Sequence, residues 1–410
     1  MTASGHGTFI LDVTRLVRRA GQGQLTGIDR VERAYLTELC GARDPHHQAV
    51  FLCRTALGWL VLDRAAGCDL LSWVAGTALP PTAAPFARLL ARNRPRPGIE
   101  AALRARAHAV LSDAGLLRWF AGQPSGSVFL NVGHMNLEAR LLGGIAAVGV
   151  RPVVMIHDTI PLDHPRWSGP AAPQRFGAAL RAVLGHAALI LVPTHSTAND
   201  IARHATGIGP VPPLACVPLG VAVTPLDRSC LPPDLTDPAP PFFVALGTIE
   251  PRKDHALLLD VWDGFCASLP ATATPRLVVV GRVGWGADAI VGRLHMAIGA
   301  GQPILHLPDL PDAQVSALVA RAAALLAPSR AEGFGLPAAE AALLGTPVLA
   351  TDLAATHEVL GDWPTYLPAG ATPDWSRAIL AAARVRAAPR PPPPLLPWAE
   401  HFNRIFKIIG

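Results

Sequence analysis

The sequence predicts an α/β protein of two Rossmann-like domains that face each other across a cleft. Three observations carry this. Short apolar runs of strand length alternate with longer amphipathic stretches along nearly the whole chain, the pattern of parallel sheets covered by helices. A Pro- and Asp-rich segment without periodicity, VTPLDRSCLPPDLTDPAPP, divides those runs into two sets. The chain has 410 residues, half of them apolar, which is enough for two cores. Open α/β sheets bind ligands at the C-terminal ends of their strands, so both sets of loops are expected to look into the cleft.

In the first set the strand candidates are TFILDV (8–13), AVFLC (49–53), SVFLNV (127–132), RPVVMIHD (151–158) and ALILVP (188–193), with helical stretches such as GIDRVERAYLTELC and STANDIARHA between them. The second set is PFFVALG (241–247), RLVVVG (276–281), PILHL (303–307), AALLAP (323–328) and TPVLAT (346–351). A first domain over 1–225 and a second over 226–396 follow. After the polyproline stretch APRPPPPLLP, the amphipathic WAEHFNRIFKII is expected to form a helix over 397–410 that packs back on the first domain.

Composition narrows the function classes. Charged residues make up 16%, too few for a disordered chain of this apolar content. No apolar run reaches the ~18 residues of a membrane span, and the N-terminus lacks the apolar core of a signal peptide. A cytoplasmic protein is expected, with peripheral attachment at the inner face of a membrane as the alternative. The six cysteines show no paired spacing and read as reduced thiols. Net charge of +5 is mild, and no nucleic-acid partner is expected. The basic run from Arg88 to Arg106 reads first as a solvated face; an acidic acceptor or an anionic membrane is the other contact it would suit.

SRAEGFGLPAAEAALLGTPVLATD (329–352) carries the most chemistry. It reads as a loop between a strand ending at Pro328 and a helix from Ala338, with Pro337 in the first turn. Gly333 and Gly335 let backbone approach a ligand, and the helix start offers N–H groups to phosphate. Glu332 and Glu340 bracket that anion site; Glu332 is expected to sit unpaired at the cleft rim, facing hydroxyl donors. In ALGTIEPRKDHALLL, Lys253 is one of two lysines against 33 arginines, so the position is either chance or suits a compact ammonium better than a second guanidinium. His157 and Asp158 end an apolar strand on the cleft side; the alternative is a strand-end His with an Asp that caps the next loop. His134 in NVGHMNLE is placed similarly. GQGQLTGIDRVERAYL is spaced wrongly for a dinucleotide fingerprint, and its alternative is a surface loop with Asp29 near a helix start. No D-x-D occurs, so no metal or other cofactor is expected. Glu358 in ATHEVLGD reads as satisfying a helix start.

The pairing of GTIEPRKDH with EGFGLPAAE resembles the retaining GT-B glycosyltransferases of the large group called family 4, closely from about Phe242 to Asp362 and more loosely through HDTIPLDHP and VPTHSTANDI. The resemblance implies a GT-B fold and transfer of a hexose, mannose as first guess, from a nucleotide-diphosphate sugar to a glycan or lipid-linked hydroxyl in bacterial surface-polysaccharide synthesis. It implies that Gly247, Arg252 and Lys253 face the donor diphosphate and that Glu332 holds donor-sugar hydroxyls. Gly333, Phe334, Gly335 and Leu336 would offer backbone N–H groups, Glu340 would bind ribose, and His306 and Leu307 would cradle the base. His157 would act near the sugar. Thr26, Gly27, Asp29, Arg30, His134 and Asp158 are the acceptor-side candidates. The competing readings are a catalytically silent nucleotide-sugar-binding subunit and another GT-B enzyme, such as a nucleotide-sugar epimerase.

Overall fold

In the computed structural model, residues 7–20, 24–41, 48–75, 95–227, 235, 241–384 and 391–410 are described. Arg88, Arg92, Arg94, Gly21, Gly23 and Cys230, part of the linker and part of the polyproline stretch lie outside them.

The first domain is built on β1 (Thr8–Asp12), β2 (Gln48–Thr55), β3 (Gly58–Leu62), β4 (Ala109–Leu111), β5 (Val128–Asn131), β6 (Arg151–Met155), β7 (Leu189–Val192) and β8 (Leu214–Cys216), in the spatial order β4-β3-β2-β1-β5-β6-β7-β8. The pairs from β2 through β1 to β8 are parallel. The β2–β3 and β3–β4 pairs are antiparallel, an edge ribbon the sequence pattern did not reveal. The second domain holds β9 (Phe242–Leu246), β10 (Arg276–Val280), β11 (Ile304–Leu307), β12 (Ala324–Ala327), β13 (Val348–Thr351) and β14 (Thr365–Leu367), all parallel, in the order β11-β10-β9-β12-β13-β14.

The central strands are apolar on both faces because helices cover both. Ile10, Leu52, Phe129 and Val154 enter one core of the first domain, while their neighbours Leu11, Phe51, Leu130 and Val153 enter the other. In the second domain Phe243 packs edge-on against Trp262, with ring centroids 6.2 Å apart. The helix Trp398–Ile409 lies on the first domain: Phe402, Ile405 and Ile409 are buried, Phe406 meets Phe9 at 5.3 Å, and the His401 ring lies 3.0 Å from the Tyr35 hydroxyl. Gly220 is glycine for a steric reason, since a Cβ there would lie 2.4 Å from the Trp398 ring.

Each sheet reverses its winding at its first strand, at β1 between β2 and β5 and at β9 between β10 and β12. Loops leaving such neighbours diverge and open a crevice. Both crevices open into one interdomain cleft, which holds a cavity of about 760 Å³. That is within the usual range for a small-molecule site, roughly 300–1,000 Å³.

Candidate active site

The loops after β9 and β12 supply the second-domain wall. Gly247 ends β9 at φ 139°, a value L side chains rarely adopt, and the Cε of Lys253 lies 3.5 Å from where a Cβ would stand. The short turn Pro251–Lys253 follows, then the helix His255–Ser268. After β12 the chain runs through Ser329 to Gly335, which at φ 83° precedes the helix Leu336–Leu343. Gly333 approaches the first domain so closely that a Cβ would fall 2.1 Å from the carbonyl oxygen of His157.

Glu332 is not unpaired. Its Oε1 lies 2.5 Å from Nζ of Lys253 and its Oε2 3.1 Å from the Arg252 guanidinium. The expectation failed because both cations come from a loop 79 residues away, which β9 and β12 bring together as sheet neighbours. Burial would push the carboxyl up, but Lys253 and then Arg252 overcome it and hold it down at about 2. Arg252 also donates to Glu250 at 2.7 Å and to the carbonyl of Ala331 at 2.7 Å. Burial opposes its charge, and Glu332 and Glu250 outweigh that and raise its pKa. Arg252 is therefore braced on three sides. Lys253 occupies the slot between Gly247 and Glu332, where a narrow ammonium on a linear stem fits.

The first-domain wall comes from the ends of β5 and β6. His157 is buried, and its Nε2 lies 2.7 Å from the carbonyl of Val132. A carbonyl only accepts, so Nε2 carries the proton and Nδ1 is the acceptor. Burial lowers this histidine to about 4, so the ring is neutral near pH 7. His134 accepts the backbone N–H of His157 at 3.2 Å, with ring centroids 5.0 Å apart, and holds φ 58°. Asp158 accepts the N–H of Ile160 at 3.1 Å and so caps the following loop while its residue still lines the cavity.

The cavity gathers Thr26, Gly27, Arg30, His157, Asp158, Gly247, Arg252, Lys253, Glu332, Gly333, Phe334, Gly335, Leu336 and Glu340 along its walls. Four candidates are not on them. Asp29 is fully buried; it pairs with Arg15 at 2.5 Å and Arg19 at 3.2 Å and accepts the N–H of Thr26, which makes it a brace of the first helical turn instead of an acceptor contact. His306 turns its Nε2 to the carbonyl of Gly281 at 2.9 Å, and Leu307 packs into the core; the cavity edge at this end is formed by Val280 to Trp285, Pro308 and Leu310. His134 stands behind His157. Sequence reading missed Arg15 and Arg19 on the wall, although TRLVRR directly after the first strand placed basic groups at a strand end. It also missed Thr248, Glu250 and Trp285, whose loops carry no distinctive spacing.

Several contacts cross between the domains. Arg30 pairs with Glu340 at 2.5 Å, Thr194 donates to the carbonyl of Gly333 at 3.1 Å, and Gln24 bonds the carbonyl of Leu310. Glu358 does cap a helix start, and that helix belongs to the other domain: its two oxygens accept the N–H groups of His195 at 2.6 Å and Ser196 at 3.1 Å. The described arginines of the basic run are engaged within the fold, Arg96 with Glu100, Arg104 with Thr55 and Arg106 with Asp69. No helix among the described residues is long and apolar enough to cross a membrane.

Residues 233–380 match the family described as glycosyl transferases group 1. The match takes in the whole second sheet, from ahead of β9 to beyond β14. The matched segment holds Lys253, Glu332 and Glu340 together. Over 264 residues the chain is 28% identical to the serotype-specific mannosyltransferase WbdA of Escherichia coli, an alignment covering 61% of this chain and 32% of that protein. Over 173 residues it is 34% identical to a D-inositol 3-phosphate glycosyltransferase of Nocardia farcinica, covering 40% and 38%. The chain thus spans about a third of the length of these relatives. Among solved structures, Anabaena HepE in complex with UDP and glucose superposes with a TM-score of 0.64 at 14% identity, covering 98% of this chain and 99% of that one. At that identity the likeness establishes the fold, which is GT-B: the two parallel-sheet domains are the two halves of that architecture.

Proposed function

We propose that the protein is a retaining glycosyltransferase that moves a hexose, mannose as first choice, from a nucleotide-diphosphate sugar to a hydroxyl of a glycan or lipid-linked acceptor in surface-polysaccharide synthesis. The observation that carries this is the Lys253–Glu332–Arg252 cluster beside the start of the helix Leu336–Leu343, on one wall of a cavity large enough for such a donor. Mannose rests on the likeness to the Escherichia coli mannosyltransferase.

The helix start and the N–H groups of Gly333 to Leu336 suit the diphosphate, and Lys253 and Arg252 supply positive charge there. Glu332 accepts both cations and has lone pairs left for sugar hydroxyls. The acceptor oxygen forms a bond to the anomeric carbon as the bond from that carbon to the diphosphate oxygen breaks. The acceptor's proton passes to the departing oxygen on the same face, and the two cations stabilise its charge. The neutral His157 ring, with Nδ1 as acceptor, would orient a hydroxyl and has no proton to give at neutral pH. No divalent metal is asked of this chemistry, because protein cations hold the diphosphate. The test is incubation of the full chain with labelled GDP-mannose and a mannose oligosaccharide in the presence of a chelator. Labelled product with the donor's anomeric configuration supports the reading. Absence of transfer from GDP-mannose and from other nucleotide sugars would overturn it.

A further inference from the structure

A second cluster of chemistry-bearing side chains spans the domains outside the cleft. His195 opens the helix His195–Ala205 and Cys216 ends β8, both in the first domain; Glu358 lies on the helix Ala354–Leu360 of the second. One imidazole nitrogen, the thiol sulfur and one carboxylate oxygen all lie within 4.8 Å of one another. Among the described residues this is the one group of three His, Cys, Asp or Glu ligand atoms so placed.

The arrangement exceeds a helix cap. Each Glu358 oxygen accepts one backbone N–H, and a carboxylate oxygen has a second acceptor position. The cap therefore orients the carboxylate without exhausting it. The Sγ of Cys216 points its proton at the same Oε1 from 3.9 Å, the place where a metal ion exchanges for a proton. Two of the three residues, His195 and Glu358, are exposed, so an ion can enter from solvent.

We propose that His195, Cys216 and Glu358 form a zinc site that ties the second domain to the first. Imidazole, thiolate and carboxylate are the ligand set zinc takes, and water would complete the tetrahedron. Bonds of about 2.0–2.3 Å put tetrahedral ligand atoms about 3.3–3.8 Å apart. The ligand atoms lie within 4.8 Å of one another, so the exposed His195 side chain must rotate to close the set while the capped Glu358 carboxylate stays in place. The thiol releases its proton to solvent as the ion binds. Thr194, next to His195, bonds the carbonyl of Gly333, so the ion would pin the donor loop's neighbour from both domains at once. This ion is separate from the diphosphate chemistry.

The test needs neither donor nor acceptor, so its outcome is independent of the glycosyl-transfer reading. The full chain is titrated with Zn²⁺ against a chromophoric chelator and with Co²⁺ by absorption. The expected result is one equivalent bound, with a thiolate-to-cobalt charge-transfer band. His195→Ala, Cys216→Ser and Glu358→Gln should each weaken binding at least tenfold, and Cys216→Ser should remove the band; circular dichroism verifies that each variant is folded. Replacing the exposed Cys266 by Ser should change nothing. No binding by the wild type, or binding that survives Cys216→Ser, would overturn the site. Binding that survives Glu358→Gln would overturn the bridge.

Discussion

Lys253 and Glu332 meet at 2.5 Å with both side chains about 15% exposed, and Arg252 closes the other side of the same carboxylate at 3.1 Å. Removing the carboxylate's charge leaves two mostly buried cations without their shared counter-ion. We expect Glu332→Gln to destabilise the fold by about 3 kcal/mol, the scale for breaking a buried pair. Urea denaturation measures it. A change under about 0.5 kcal/mol, the size of an ordinary surface substitution, would mean that the pair is effectively solvated.

Three buried histidines and Glu332 lower stability in acid over two windows, while burial raises Glu32 and Asp12 and so works in the opposite direction. Burial lowers His157 and His401 to about 4 and His255 to about 3. The unfolded chain binds those protons below about 6.5, so stability is full above pH 6.5 and falls as pH drops toward 4. Glu332, held at about 2, contributes stability that is present above 4.5 and lost as pH falls through 4.5 toward 2. The urea midpoint should decline from pH 6.5 downward and steepen below 4.5. An NMR titration in which these three rings take up their protons near pH 6.5 would contradict the neutral, buried histidines.

Asp29 is a brace, not a ligand contact. With Arg15 and Arg19 both on its carboxylate and its side chain fully buried, Asp29→Asn should cost about 3–5 kcal/mol. At a temperature where the variant is folded, its acceptor KM should match the wild type. A selective rise in acceptor KM would restore Asp29 to the binding surface.

His134 acts through His157, whose amide it holds. We expect His134→Ala to lower kcat by roughly tenfold to a hundredfold, the scale of a small misplacement at a reacting centre. Donor KM should change less than about twofold. Equal loss in both parameters would place His134 in donor binding instead.

Glu340 faces the cavity with Arg30 on one oxygen. If it holds the ribose, Glu340→Gln should raise donor KM about tenfold and leave kcat nearly unchanged, the signature of an interaction equal in ground and transition states. Steady-state kinetics with varied donor decides it. A fall in kcat at unchanged donor KM would assign Glu340 to the chemical step.

The ten strand candidates all became strands because each is a run of apolar side chains long enough to be buried on both faces. What escaped was short or relational. β4, β8 and β14 have three residues each, too few for periodicity. β3 was readable in principle, since Gly58 at φ 100° makes the tight turn of a hairpin with β2. The donor loop was legible because glycines, a proline and spaced carboxylates mark a strand-to-helix turn. Partner choice was not: Glu332 meets cations 79 residues away, and Glu358 caps a helix 163 residues away. Such pairs exist only after the sheets and the two domains are assembled.

The proposed nucleoside-diphosphate site depends on the charge of Lys253 and Arg252. Thermal unfolding of the wild type and of Lys253→Ala, with UDP, GDP, ADP, CDP or NAD in large excess and no metal, tests it most directly. A ligand at 100 times its Kd stabilises the fold by about 2.7 kcal/mol, a shift of a few degrees. One nucleoside diphosphate should raise the wild-type midpoint by that amount and have a much smaller effect on Lys253→Ala. A shift with NAD alone, no shift with any nucleotide, or an equal shift in the variant would contradict the site.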